Sequence, residues 1–406
     1  MSQIDHSLVN SVKKTAAAFE NIPLLTLVPV VNDRHAWAAL LLRPQSADNS
    51  AWLAALPRIF GEFELNSALA NLDAIVCVEE PHLLSGEIVA ALPAAKMVLL
   101  LPLAYCADPA RVEPLSQLRQ CGFRLMADGL PTAGLTLPPA VTAVAGDGGA
   151  LAAAAHLPGP HLAQGVDDAS GLERCKNAGY RWFAGDYPLH PQQTKRQQTG
   201  SSRTLLLRLL AMVAADADSH EIETLLKQDS SLSYHLLKLV NSVSFALTTT
   251  ITSFSYAITL LGRRQLQRWL QLLLYAQQKH GDDASPLLAR AARRAAMMEE
   301  LCKLAGGGKE DQDHAFMTGM FSLLDALFSM PLEKIVTPLH LSDDIEEGLL
   351  SRGGWLGSLL SLVEQSERMP SGELASQVQA LLLTPADYLR AQVQASAWAI
   401  QVSRDA

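Results

Sequence analysis

The sequence predicts an α/β domain followed by an all-α domain, and three features carry that reading. Short apolar runs alternate with segments of helical spacing in the first half, and only helical periodicity remains in the second. Between them lies Pro188–Arg203, PLHPQQTKRQQTGSSR, rich in Gln, Thr and Ser and without apolar periodicity. With 406 residues, 49% of them hydrophobic and 18% charged, the chain is long enough for two cores and too apolar to be disordered in bulk. The expected division is a first domain over 1–190, a linker over 191–203 and a helical domain over 204–406.

In the first domain the runs LLTLVPVV (24–31), AALLLR (38–43), AIVCV (74–78), MVLLL (97–101) and FRLMA (123–127) read as strands buried on both faces. The stretch 110–121 places Val112, Leu115 and Leu118 on one helical face. Strand–helix alternation over this length predicts a parallel sheet or barrel. It weakens over 129–165, where five prolines and many glycines predict a thin or distorted wall. Beyond the linker, Leu205, Leu206, Leu209, Met212 and Val213, and then Leu232, Leu236, Leu239, Val240 and Val243, recur at helical spacing.

Composition excludes several classes. The net charge of -9 is shared by both halves, so neither is built to coat a polyanion. Cys77, Cys106, Cys121, Cys175 and Cys302 show no CxxC spacing, and buried thiols in a reducing compartment fit best. The N-terminus lacks the apolar core of a secretory signal, and the uncharged stretch 239–262 carries too many Ser, Thr and Asn for a membrane span. A cytoplasmic protein without a membrane partner is expected.

Chemistry-bearing patterns are few. An HD-type metallohydrolase needs adjacent His and Asp with further ligands on neighbouring helices. The sequence has no His-Asp dipeptide, His235 and His314 stand alone, and Ser322 and Leu323 occupy the aligned position. Glu79 and Glu80 are neighbours on one chain and point to different sides, which suits a solvated strand end. Arg263, Arg264, Arg268, Arg290, Arg293 and Arg294 lie in a stretch of net charge +5 and form a candidate surface for an anionic partner, set against the simpler reading of a solvated helical face. A nucleic-acid partner is not expected, since aromatic residues do not interleave with these arginines.

The segment 222–270 resembles the HDOD domain family. The matching features are Asp229 at the end of one helix, a second helix ending in Asn241-Ser242, a polar turn over 248–253, and Ala257-Ile258 leading to Leu261-Gly262. A departure is Ser230, where the family often has proline. The segment 315–336 resembles the continuation seen when HDOD follows an EAL domain, the cyclic di-GMP phosphodiesterase barrel. The first half then resembles a degenerate EAL domain. Arg43 matches the arginine closing the Glu-Ala-Leu signature, while Ala39 stands in place of its metal-binding glutamate. Cys77 replaces an asparagine ligand and Leu100 a glutamate; Asp128 is kept, but Gly129 replaces the second acid; Gln164 replaces another glutamate, and Asp167 stands for a further acid. The lysine-x-aspartate strand has no counterpart.

The resemblance implies a degenerate, TIM-like EAL barrel followed by an all-helical, HD-related HDOD domain, in a bacterial signal-transduction protein that works through protein–protein contacts with unidentified partners. Because metal-assisted phosphodiester hydrolysis needs several inward carboxylates at the strand ends, no enzymatic activity, catalytic residue, metal site or cofactor is expected. Two alternatives stay open: a cyclic di-GMP receptor without hydrolysis, in which Arg43 pairs with a phosphate, and a hydrolase with relocated ligands.

Overall fold

Eight strands close into a barrel in chain order in a computed structural model of the protein. They are β1 (Leu25–Asn32), β2 (Trp37–Pro44), β3 (Asp73–Cys77), β4 (Met97–Pro102), β5 (Arg124–Asp128), β6 (Val141–Gly146), β7 (Leu162–Gln164) and β8 (Trp182–Ala184). The structure describes residues 22–45, 48–149, 151, 154, 156–190, 285–339, 341–367 and 373–405, with individual positions in 205–226 and 268–275. Asp229, Asn241, Ser242, Gly262, Arg263 and Arg264 lie outside the described residues, as do the expected linker over 191–203 and the uncharged stretch 239–262.

From β2 to β8 every neighbouring pair is parallel, and β1 alone runs antiparallel, to β2 on one side and β8 on the other. The apolar runs become strands because both of their faces are covered. Leu41, Ile75, Val98, Leu100 and Met126 point into the barrel, whereas Leu40, Leu42, Val76, Leu99 and Leu125 pack outward against helices. Within 129–165 the wall is thin at β7, which has three residues, whereas β6 has six; β8, beyond that stretch, also has three, and the β5–β6 register shifts between Leu125 and Met126.

The barrel's longer helices are α1 (Asn49–Gly61), α2 (Val112–Gln120) and α3 (Ala169–Ala178). Asp48 starts α1 by accepting the amides of Ser50 and Ala51, and Asp168 starts α3 by accepting that of Gly171. Beyond the barrel come α4 (Ser219–Leu226), α5 (Pro286–Leu304), α6 (Lys309–Phe321), α7 (Asp343–Ser351), α8 (Gly354–Glu367) and α9 (Pro385–Asp405). Ser285 caps α5, with Pro286 in its first turn, where the missing N–H costs nothing. Helices α5 and α6 cross so closely that a Cβ on Gly319 would stand 2.7 Å from the Cα of Ala295.

Helix α9 belongs to both cores. Tyr388, Ala391, Ala395 and Val402 join the helical core, while Leu389, Val393 and Ile400 join the apolar layer around the barrel. It also completes the barrel wall. Only Val31 and Asn32 of β1 pair with the short β8, so the rest of that edge lies open to the helices. The Gln392 side chain accepts from the Leu27 amide at 2.8 Å and donates to the Leu25 carbonyl at 2.9 Å, and Arg293 donates to the Leu27 carbonyl at 2.7 Å.

The expected basic surface is corrected here. Arg290, Arg293 and Arg294 are 7%, 0% and 3% exposed and point into the seam between barrel and helices. Arg290 donates to Asp186 (2.6 Å) and to the Gly185 carbonyl (3.1 Å); Arg294 donates to Glu367 (2.6 Å), Glu364 (3.3 Å) and Ser322 (2.8 Å). Arg268 is held between Glu299 (2.5 Å) and Asp313 (3.2 Å), with its guanidinium over the Phe316 ring. Carboxylates distant in sequence thus neutralise Arg268, Arg290 and Arg294, while Arg293 donates to the Leu27 carbonyl and the Ser396 hydroxyl, a compensation that a local charge count does not register. His314 pairs with Asp344 at 2.8 Å. Cys106, Cys175 and Cys302 are buried, but Cys121 is exposed, which corrects the expectation of uniformly buried thiols. Among the described residues no single helix is long and apolar enough to cross a membrane.

Candidate functional site

The carboxyl ends of the parallel strands open into a cavity of about 790 Å³. Strands β2 to β7 deliver the lining: Arg43 from β2, Cys77 from β3, Leu100 and Pro102 from β4, Asp128 from β5, Ala145 and Gly146 from β6, and Gln164 from β7. Parallel strands in register bring such positions to one face; Cys77 lies opposite Leu100, Pro102 opposite Asp128, and Asp128 opposite Ala145.

Six positions singled out in the sequence, Arg43, Cys77, Leu100, Asp128, Gly129 and Gln164, therefore share this mouth. Ala39 does not reach it: four residues before Arg43 on the same inward face, it is fully buried in the barrel interior. Asp167 lines a smaller side cavity instead. Glu79 and Asp147 also face the mouth and were not singled out as site residues. Their signal is positional, since each lies just past the end of a strand. Glu80 turns away towards Asn49 at 3.3 Å and His82 at 3.6 Å, as expected for adjacent residues.

Gln164 organises the polar side of the cavity. Its Oε1 accepts from the Arg43 guanidinium, and its Nε2 donates to Asp128 Oδ1 at 3.1 Å. The neutral amide thus holds a cation and a carboxylate in fixed orientations. Asp128 is open to the cavity but enclosed by its walls. Loss of water contact pushes its carboxyl above the usual range, against the opposing pull of Arg43 and Gln164. Cys77 is pushed up to about 12 by burial, so its thiol stays protonated at neutral pH.

A mouth of this shape presents one cation, three carboxylates, an amide and backbone dipoles to a polar ligand of nucleotide size. It does not fit a divalent-metal centre of the hydrolytic kind. Such a centre needs several converging carboxylate or imidazole ligands, and among the described residues no three His, Cys, Asp or Glu side chains are grouped to hold a metal ion.

Comparison with known proteins finds a family match in the helical half. Residues 202–331 match the family described as the HDOD domain. The chain is 28% identical over 246 residues to "Cyclic di-GMP phosphodiesterase CdgJ" of Vibrio cholerae, covering 60% of this chain and 56% of that protein. It thus spans little more than half of that relative's length. Among solved structures it is similar to the EAL domain of Mycobacterium smegmatis DcpA, with a TM-score of 0.33 and 17% identity over 40% of this chain and 88% of that one. It is also similar to a putative phosphohydrolase from Shewanella amazonensis, with a TM-score of 0.36 and 15% identity over 50% and 93% of the two chains.

The relative's name corrects one expectation. Missing ligand positions led to the expectation that the chain is not an enzyme, yet the protein it matches over 246 residues is named a phosphodiesterase. Substitutions read one at a time at strand ends do not decide activity. The chain is an eight-stranded barrel resembling EAL domains followed by a helical region that contains an HDOD domain, an EAL–HDOD architecture.

Proposed function

We propose that this is a cyclic di-GMP signalling protein of the cytoplasm, in which the barrel mouth receives the nucleotide and the helical half passes its state to a protein partner. The observation carrying the reading is the mouth itself: a cavity of about 790 Å³ with Arg43 held ready by Gln164. Arg43 would pair with a phosphate oxygen of the ligand, because a guanidinium offers directed donors and keeps its charge at any working pH. The name of the Vibrio cholerae relative supplies the nucleotide and the chemistry associated with it. In this reading the barrel over 1–190 is the sensing module and 204–406 the output module.

Calorimetry of the full chain with cyclic di-GMP tests the reading. The wild type is expected to bind, and Arg43→Ala to bind at least about tenfold more weakly, the loss of roughly one charge-assisted contact of about 1.4 kcal/mol. An affinity weaker than about 1 mM, near −4 kcal/mol, would leave no nucleotide site at this mouth. Release of the linear dinucleotide in the presence of magnesium or manganese, followed by chromatography on the same samples, measures turnover directly.

A further inference from the structure

Three cavities meet at the carboxylate of Glu367, at the end of α8. One, of about 80 Å³, reaches the barrel mouth and shares Arg43, Gln164 and Gly165 with it. A second, of about 40 Å³, lies against Trp37, Phe183 and Tyr187 on the barrel. The third, of about 190 Å³, opens between the barrel's end at Asp186 and the helical residues Ser322, Arg352 and Glu364. Protein interiors are close-packed, so space on three sides of a buried charge marks a joint that can settle in more than one arrangement.

The charge at this joint is tied to both halves of the molecule. Glu367, its side chain 2% exposed, receives Arg294 at 2.6 Å and lies 3.7 Å from Arg290. Arg290 in turn grips Asp186 and the Gly185 carbonyl, just past the end of β8. That strand end is rigidly linked to the mouth. Ala184 lies opposite Gln164 in the β7–β8 pair; Val166 donates to the Ala184 carbonyl at 3.1 Å and accepts from Tyr187 at 2.8 Å. No side chain fits at Gly185, where a Cβ would come within 2.3 Å of the Val166 carbonyl oxygen. Gln164, which holds both Arg43 and Asp128, is thus joined to Asp186 by a continuous run of paired backbone.

We propose that the Asp186–Arg290–Glu367 network is the joint through which the state of the barrel mouth reaches α5 and α8 of the helical half. The proposal takes the ligand's identity from the reading of the mouth as a cyclic di-GMP site, but the joint itself is testable without any ligand. Asp186→Asn and Glu367→Gln keep shape and remove one charge each, so both variants are made in the full chain.

The first measurement needs no nucleotide. The maleimide labelling rate of Cys77, at the mouth, is divided by that of Cys106, which is buried in the barrel's outer layer and reports general opening. Coupling predicts a change in this ratio of about fivefold or more in both variants, the lower range of site–site coupling. A ratio unchanged within about twofold would overturn the joint, since that lies below such coupling. In the second measurement, saturating cyclic di-GMP is expected to alter amide exchange in the first turns of α5 and the last turn of α8 in the wild type, and not in Asp186→Asn. Protection confined to the mouth would overturn the joint while leaving the nucleotide site standing. Absence of any binding would remove the nucleotide reading, and the labelling ratio would still decide the joint.

Discussion

The side chain of Gln392 pairs with Leu27 as a strand neighbour would, accepting its amide at 2.8 Å while donating to the Leu25 carbonyl at 2.9 Å. An amide side chain carries the same donor and acceptor as a peptide unit, so one glutamine of α9 replaces a missing residue of the ladder. Strand β8 is too short to cover this edge, and buried backbone groups need partners wherever they come from. The part of this edge that β8 leaves open is met by a residue 365 positions away.

Replacing Gln392 with alanine strands two buried backbone groups. A loss of about 2–4 kcal/mol is expected, from about 1–3 kcal/mol for each unsatisfied group with partial relaxation. Urea unfolding followed by tryptophan fluorescence, with Trp269, Trp355 and Trp398 replaced by phenylalanine so that Trp37, Trp52 and Trp182 report the barrel, and by helical circular dichroism measures it, and both probes should shift together because α9 serves both cores. A shift in the helical signal alone would mean that the barrel closes without Gln392.

Removing one partner of the Arg294–Glu367 pair costs more than exchanging both. Arg294→Ala is expected to destabilise by about 3–5 kcal/mol because Glu367 stays buried. An Arg294→Met, Glu367→Leu double variant should recover much of that loss, and a double-mutant cycle in urea measures the difference.

Acid sensitivity follows from the same carboxylate. Burial opposes its ionisation, but Arg294 and Arg290 outweigh burial and hold the Glu367 carboxyl below the usual range. A depressed folded-state pKa adds stability above the unfolded value of about 4.3, and that stability is lost as pH falls through the folded value. Wild-type melting temperatures should fall steeply below about pH 4, and Glu367→Gln should be less stable at pH 7 and respond less to acid.

Asp128 has the opposite sign. Its raised carboxyl favours the folded state below the unfolded pKa of about 3.9, and that contribution is lost as pH rises through the folded value. Asp128→Asn is therefore expected to raise the melting temperature at pH 7.5 and to have no effect near pH 3. Melting curves at the two pH values check this. A residue that costs stability at neutral pH and lies at a cavity mouth is typical of a site kept for function.

Thiol chemistry distinguishes the cysteines. Burial pushes Cys77, Cys106 and Cys302 up to about 12, and Cys121 is exposed. Mass spectrometry after iodoacetamide treatment of the native protein at pH 8 should find Cys121 modified first, because only a thiolate in reach of solvent reacts.

Strands β1 to β5 are legible in the sequence to within one or two residues because burial on both faces leaves continuous apolar runs. Strand β6, VTAVAG, is not, since alanine and glycine carry little apolar pattern, and β7 and β8 are too short to show a period. Arg43, Cys77, Leu100, Asp128 and Gln164 are named in the sequence by the resemblance to EAL domains, and the structure brings them to one mouth because the ends of parallel strands converge. Asp147 escapes because it sits one residue beyond the end of β6, and Glu79, two residues beyond β3, reads in the sequence as a solvated strand end.

The division into an α/β half and a helical half follows from local pattern, which the sequence carries by itself, while the barrel and the arginine at its mouth enter through the resemblance to EAL domains. What joins the halves was decided only by the tertiary structure. Arg290, Arg293 and Arg294 read as a charged face because their partners, Asp186, Leu27 and Glu367, are between 73 and 266 residues away. Buried charge is tolerated only where distant groups meet it, and no local window of sequence contains both sides of such a pair.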